Sequence, residues 1–187
     1  MLKASDIRKG RTVIYEGNLY VCHESQHVTK GNKRSYMQTK LKDLKTGTMI
    51  DMRFNVDDRL EVPFVESKEY EFLYHDGNSY VFMDTETFDQ APIDVDLIGD
   101  GTGYLVPNTK VTCDLHEGRI IGVALPHTIE LTVTETPPVV RGATATNQPK
   151  DALLETGVRV RVPAFIEPGE RIRVDTRTGE YIERAKS

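Results

Sequence analysis

A run of cations near the N-terminus could bind an anionic partner. Lys30, Lys33 and Arg34 surround a Gly31-Asn32 pair inside the segment His27–Tyr36, which we call the arm. Gly and Asn are typical of tight hairpin turns, and cations at such a tip can contact phosphate groups. The same residue types are common in exposed turns that bind nothing, so composition alone leaves both interpretations open.

Two strand-like segments must position this turn. Leu19–His23 is apolar and rich in β-formers, and Tyr36–Leu41 alternates apolar or β-favouring residues with polar ones. At about 3.3 Å per residue, flanking strands of six to eight residues would carry the tip roughly 20–25 Å from the body of the molecule. The sequence therefore predicts a projecting hairpin with cations at its end.

Charge is distributed unevenly along the 187 residues, which are 38% hydrophobic, 28% charged and of net charge −5. Residues 1–63 hold twelve Lys and Arg against eight Asp and Glu, residues 64–127 hold three against twelve, and residues 128–187 hold nine against nine. A basic lobe that carries the arm can face phosphate while an acidic lobe limits non-specific binding. The sequence has no run of about 18 apolar residues and no secretory signal, so we expect a cytoplasmic protein that does not enter a membrane.

Motifs for enzyme chemistry are absent from the sequence, which has no phosphate-binding Gly-rich loop, no Gly-x-Ser-x-Gly elbow and no His-Glu-x-x-His pair. Zinc ligands could come from Cys113-x-x-His116 and from Cys22-His23. Adjacent residues on a strand point to opposite faces, however, so Cys22 and His23 cannot easily bind the same ion. We expect Cys22 and Cys113 to be buried thiols. The acidic pairs are typical of loops and turns: Asp57-Asp58 and Asp94/Asp96. We predict no catalytic residue, no metal and no cofactor.

Turn signals separate short β-rich segments about every ten residues, a pattern typical of small all-β barrels. We predict three domains, at residues 1–63, 64–127 and 128–187. The first is SH3-like in size, and the other two suit the five strands of an OB barrel and hint at a duplicated module. A short helix is predicted only within Thr87–Ile98. The predicted strands are Thr12–Tyr15, Leu19–His23, Tyr36–Leu41, Met49–Phe54, Arg59–Val62, Lys68–Tyr74, Ser79–Met83, Lys110–His116, Arg119–Leu125, Thr128–Thr136, Arg159–Val162, Arg171–Val174 and Glu180–Arg184.

The most constrained pattern lies in residues 150–169. It has Lys-x-Ala, four residues, Gly, two residues, aliphatic-x-Val-Pro, two residues, aliphatic, two residues and Gly. Gly157 and Gly169 predict turns, and Pro163 ends a strand where no ladder donor is needed. With every position filled, the pattern resembles the signature of bacterial elongation factor P. The resemblance extends along the whole chain, for example through Tyr74-His-Asp-Gly77 and Val174–Tyr181.

This resemblance implies an SH3-like (KOW-like) domain followed by two OB barrels in an L-shaped arrangement similar to a transfer RNA. It also implies a monomeric factor that contacts both ribosomal subunits near the peptidyl and exit sites. The arm would reach the acceptor end of peptidyl transfer RNA and relieve stalling at consecutive prolines. The ribosome would remain the catalyst. The alternative is a general RNA-binding OB protein that does not act at the peptidyl-transferase centre.

The arm tip departs from the family pattern. The family usually presents a modified Lys or Arg at the position that Asn32 occupies here, and an amide cannot accept that chemistry. We expect the tip, Lys30–Arg34, to act unmodified, through the Asn32 amide. Modification of Lys33 and a divergent paralogue with altered stalling preference are the other two interpretations. The further candidates for RNA contact are Lys40, Lys42, Arg141, Arg177 and Tyr181.

Overall fold

A computed structural model of the chain describes residues 1–29, 31, 34–138 and 148–186. Strands dominate the secondary structure of these residues, which confirms the predicted all-β class. The contacts divide the chain into two compact units, Met1–Asp100 with Pro107–Ala124, and Gly101–Val106 with Leu125–Ser187. Within the described ranges, no helix is long and apolar enough to cross a membrane. The boundaries at 63/64 and 127/128 stay a prediction.

The first unit begins with a four-stranded antiparallel sheet. Its strands β2 to β5 lie in sequence order, and the short strands β1 and β6 pair with each other. Alternate side chains of the sheet, such as Val13, Met37 and Leu41, are almost fully buried and form the core. The bounds are β1 (Leu2–Lys3), β2 (Thr12–Tyr15), β3 (Asn18–Val28), β4 (Tyr36–Asp43), β5 (Met49–Asn55) and β6 (Arg59–Leu60), with one 3₁₀ turn at Ala4–Asp6.

The first unit also contains a five-stranded antiparallel sheet in the order β11-β10-β7-β8-β9. A four-residue helix, α1, follows β9, and the side chain of Asp94 caps it by accepting the backbone N–H of Asp96. The bounds are β7 (Glu66–His75), β8 (Tyr80–Asp84), β9 (Gln90–Ile93), α1 (Val95–Ile98), a 3₁₀ segment at Gly99–Tyr104, β10 (Lys110–His116) and β11 (Arg119–Ala124).

The second unit holds another five-stranded antiparallel sheet, in the order β14-β13-β12-β15-β16. The first strand of each five-stranded sheet pairs with the second and the fourth, so the two sheets have the same topology. This identity of strand order supports the predicted duplication of a module. The bounds are β12 (Thr128–Glu135), β13 (Lys150–Leu154), β14 (Arg159–Val162), β15 (Arg171–Asp175) and β16 (Tyr181–Arg184).

The structure corrects the predicted elements in two places. Gln90–Ile93, inside the segment predicted as a possible helix, is the edge strand β9, and only Val95–Ile98 is helical. Hydrogen bonds from the backbone of Glu86 and Thr87 to the Asp84 side chain form a turn that returns the chain to the sheet. Lys150–Leu154, where no strand was predicted, follows a connector of small and polar residues, 141–149, and is the strand β13.

Candidate functional site

The arm lies at the end of a long hairpin. Strands β3 and β4 pair continuously from Tyr20↔Asp43 to Val28↔Tyr36, apart from one bulge between Cys22 and Glu24. β5 pairs along β4 as far as the same end, where Tyr36 pairs with Asn55. At about 3.3 Å per residue, the eight residues of β4 span roughly 26 Å. The hairpin is therefore longer than the predicted strands and is braced by a third strand.

Cationic and aromatic side chains meet at the far end of this hairpin. The guanidinium of Arg53 lies over the ring of Tyr36, 4.2 Å from its centroid. Arg34 and Gly31 are exposed, and Gly31 has a φ of +44°. A positive φ favours glycine, as a tight turn requires. The predicted tip residues Lys30, Asn32 and Lys33 lie outside the described residues, as does the candidate Arg141.

At the other end of the hairpin, four charged or polar side chains form what we call the arm-root cluster: His23 on β3, Lys42 on β4, and Asp94 and Asp96 at the start of α1. Nδ1 of His23 lies 2.5 Å from Oδ1 of Asp96. Nζ of Lys42 lies 2.7 Å from Oδ2 of Asp94 and 3.0 Å from Oδ2 of Asp96. The cluster therefore joins both strands of the hairpin to helix α1, which follows the last strand, β9, at the edge of the five-stranded sheet.

The arm-root cluster holds the carboxylate of Asp96 in the charged form. Burial raises the pKa of Asp96, but hydrogen bonds and positive charge from Lys42 and His23 outweigh it, so the pKa lies below its ordinary value. The hydrogen bond to Asp94 raises the pKa of Lys42 against the opposing effect of burial. An ionised carboxylate only accepts hydrogen bonds, so Nδ1 of His23 must donate to Asp96.

The other predicted RNA contacts already have intramolecular partners. Lys40 lies 3.5 Å from Glu24 across the hairpin. Arg177 donates two side-chain hydrogen bonds to Asp175, whose pKa this interaction lowers to about 2. Such surface pairs are weak and can exchange for a phosphate contact. The RNA contacts at Lys40, Lys42 and Arg177 stay predictions.

Tyr181 lines an open groove of about 960 Å³ in the second unit. The same groove is lined by Arg159, Arg161 and the half-exposed ring of Phe165. Arginines beside aromatic rings can bind a nucleic-acid strand through phosphate contacts and base stacking. The contact of Tyr181 with RNA nevertheless stays a prediction.

Three of the residues considered above as zinc ligands or acidic pairs, Cys22, Cys113 and Asp58, have structural roles. Cys22 and Cys113 are fully buried, and burial raises their thiol pKa values to about 11 and about 12. Asp58 accepts the backbone N–H of Asn55 in a turn. In the part of the chain that the structure describes, no group of three or more His, Cys, Asp or Glu side chains is placed to hold a metal ion.

The constrained pattern of residues 150–169 marks core and turns. Val160, Val162 and Ile166 are buried in the core of the second unit. Gly157 and Gly169 have φ angles of +84° and +90°, which favour glycine. The constrained positions of the pattern therefore specify the fold of the second unit.

Comparison with protein families assigns most of the chain. Residues 3–60 match the elongation factor P KOW-like domain, residues 65–123 its OB domain and residues 129–184 its C-terminal domain. These matches confirm the predicted fold class of a KOW-like domain followed by OB barrels. A solved structure of eukaryotic translation initiation factor 5A from Methanococcus jannaschii aligns with this chain at 16% identity. The alignment covers 65% of this chain and 94% of that one, with a TM-score of 0.36.

Curated relatives match over the full length. Elongation factor P of Moorella thermoacetica is 42% identical over 99% of this chain and 100% of its own. Elongation factor P of Chloroflexus aurantiacus is 44% identical over 96% of each chain. These matches confirm the resemblance predicted from residues 150–169. The chain therefore belongs to the elongation factor P family of translation elongation factors.

Proposed function

We propose that this protein binds the ribosome beside peptidyl transfer RNA and stimulates peptide-bond formation where consecutive prolines stall it. The observation that carries the proposal is the full-length match to elongation factor P. It is supported by the long β3–β4 hairpin, which leads to the arm and is braced by β5. We propose that the protein acts as a cytoplasmic monomer that contacts both ribosomal subunits, needs no cofactor and leaves catalysis to the ribosome.

The mechanism we propose is positioning. Proline is a rigid and poor substrate for peptide transfer, so much of the barrier lies in bringing the reacting groups together. Lys30, Lys33 and Arg34 would contact phosphates at the acceptor end of peptidyl transfer RNA and hold it in a reactive geometry. A braced hairpin suits this task because a compliant arm would bind without fixing the geometry.

Asn32 distinguishes this chain from the usual family pattern, in which the tip residue is modified. We propose that the arm acts unmodified, with the neighbouring cations supplying the contacts. Intact mass of the protein isolated from its native host tests this point. A mass increment that maps to Lys33 would replace our interpretation with the modified-lysine one, and an unmodified mass would support it.

Toeprinting on a message that encodes three consecutive prolines tests the function. We expect the stall to weaken when recombinant protein is added. Arg34→Gln should reduce the relief. Lys110→Gln, which removes an exposed cation paired with Glu69 on the five-stranded sheet of the first unit, should not. If neither recombinant nor native protein relieves the stall while RNA binding persists, the alternative of a general RNA-binding protein is favoured.

A further inference from the structure

We propose that Asp96 is a positioning residue that fixes the direction of the arm by tying both strands of the hairpin that carries it to helix α1. The two oxygens of this single carboxylate bind different strands: Oδ1 faces His23 on β3, and Oδ2 faces Lys42 on β4. A hairpin held on both strands can neither tilt nor twist about its root without breaking one of these contacts. The functional consequence rests on the proposed function, but the anchoring itself does not.

The bulge in β3 directs His23 to this carboxylate. Cys22 pairs with Leu41 and Glu24 pairs with Lys40, so His23 is the extra residue of β3. An extra residue in a bulge leaves the ladder and re-aims its side chain. Here it brings the imidazole within hydrogen-bond distance of Asp96.

Asp96 is well placed to anchor rather than to contact solvent or RNA. Its side chain is only 7% exposed, and a carboxylate at that depth is stable only when it is paired. Its backbone N–H donates to Asp94 at 2.9 Å, and Asp94 in turn binds Lys42 at 2.7 Å. The carboxylate therefore belongs to a closed network whose rotamers are fixed from both sides.

Further contacts join the same two parts of the first unit. Gly10 and Gly99 pack backbone to backbone, so that a Cβ on Gly99 would lie 3.3 Å from the carbonyl oxygen of Lys9. The hydroxyl of Thr12 donates to the carbonyl oxygen of Ile121 at 2.5 Å. These contacts hold the body of the first sheet, whereas the arm-root cluster holds the strands that carry the arm.

Asp96→Asn separates positioning from RNA binding, because the removal of a carboxylate cannot weaken a direct attraction for phosphate. The substitution takes away a negative charge and frees Lys42, so a role of Lys42 in RNA binding would be preserved or strengthened. Asp100→Asn is the matched control, since Asp100 is an acid four residues away with an 87% exposed side chain that pairs only with Lys9 among the contacts of the described residues. His23→Gln is a milder variant that releases β3 alone.

Arm direction is measured without the ribosome, by the distance distribution between spin labels at Gln26→Cys on β3 and Glu86→Cys in the turn between β8 and β9. Both positions are exposed. We expect the distribution to broaden or shift with Asp96→Asn and, to a smaller extent, with His23→Gln, and to stay unchanged with Asp100→Asn. An unchanged distribution in folded Asp96→Asn protein would overturn the anchoring.

Proline–proline bond formation at increasing factor concentration measures the consequence. We expect Asp96→Asn to lower the maximal rate about tenfold, because a displacement of about 1 Å can cost up to 100-fold, while the half-saturating concentration stays within about twofold. An unchanged or higher maximal rate would refute the positioning role. If the wild-type protein itself gives no stimulation, the proposed function fails, and the label distances alone decide whether Asp96 anchors the arm.

Discussion

Replacing Lys42 with Met should loosen the root of the arm by an amount that can be worked out from its contacts. Met keeps most of the apolar stem of Lys42 and removes the ammonium group. The hydrogen bond to Asp94 is half exposed and contributes about 0.5 kcal/mol. The hydrogen bond to the nearly buried Asp96 contributes about 1.5–3 kcal/mol, part of it as the cost of leaving that carboxylate underpaired. We therefore expect a loss of roughly 2–3.5 kcal/mol in the free energy of opening the two hairpin strands that carry the arm.

Native-state hydrogen exchange measures this free energy amide by amide. The amides of β3 and β4 near Cys22 and Leu41 should exchange roughly 30- to 300-fold faster in Lys42→Met than in the wild type. Lys110 is the matched control, because its Nζ forms an exposed ion pair with Oε1 of Glu69 at 3.2 Å. Lys110→Met should change the opening free energy by no more than about 0.5 kcal/mol. Adding Asp96→Asn to Lys42→Met should cost less than the sum of the single changes, because the two groups share one interaction.

A loss as small in Lys42→Met as in Lys110→Met would refute the reasoning, since it would mean that the contact with Asp96 adds no more than a surface ion pair. Strict additivity of Lys42→Met and Asp96→Asn would refute it as well.

Three further predictions follow from local geometry. Arg177→Met should raise the pKa of Asp175 from about 2 by removing its main hydrogen-bond donor, as carboxyl NMR titration would show. The stability that the lowered pKa confers is complete above about pH 4 and is lost toward pH 2. This acid-sensitive contribution to the free energy of unfolding should therefore be smaller in the variant. Cys22 and Cys113 should resist thiol reagents at neutral pH until the protein unfolds, and rapid labelling of the native protein would contradict their burial. Gly99→Ala should cost about 1–3 kcal/mol in thermal or denaturant unfolding, because φ +71° and ψ −137° suit glycine, and an unchanged midpoint would contradict this.

Local patterns predicted most of the strands. Alternation in β4 and β12 and the turn residues at Glu16-Gly17 and Thr176–Gly179 act within a few residues, so the sequence displays them directly. Strand β9 was missed because Pro92 argues against a strand, yet β9 is an edge strand, where a missing N–H costs little. Strand β13 was missed because it follows directly on a polar connector.

The arm-root cluster could not be predicted, because its partners are far apart in the sequence. His23 lies 73 residues from Asp96, and Lys42 lies 54 residues from it. The sequence offers Asp94 and Asp96 only as an acidic pair before a short apolar run, which matches a helix cap equally well. Only the contact of α1 with the hairpin shows that these acids face His23 and Lys42.

The rate of peptide-bond formation between peptidyl-prolyl transfer RNA and prolyl transfer RNA, in a purified translation system, tests the proposed function most directly. Addition of the recombinant protein should accelerate this reaction by about tenfold or more, while a pair of non-proline substrates should change little, because positioning helps most where the substrates are rigid and poorly reactive. No acceleration of the proline pair, or the same acceleration for both pairs, would contradict the account.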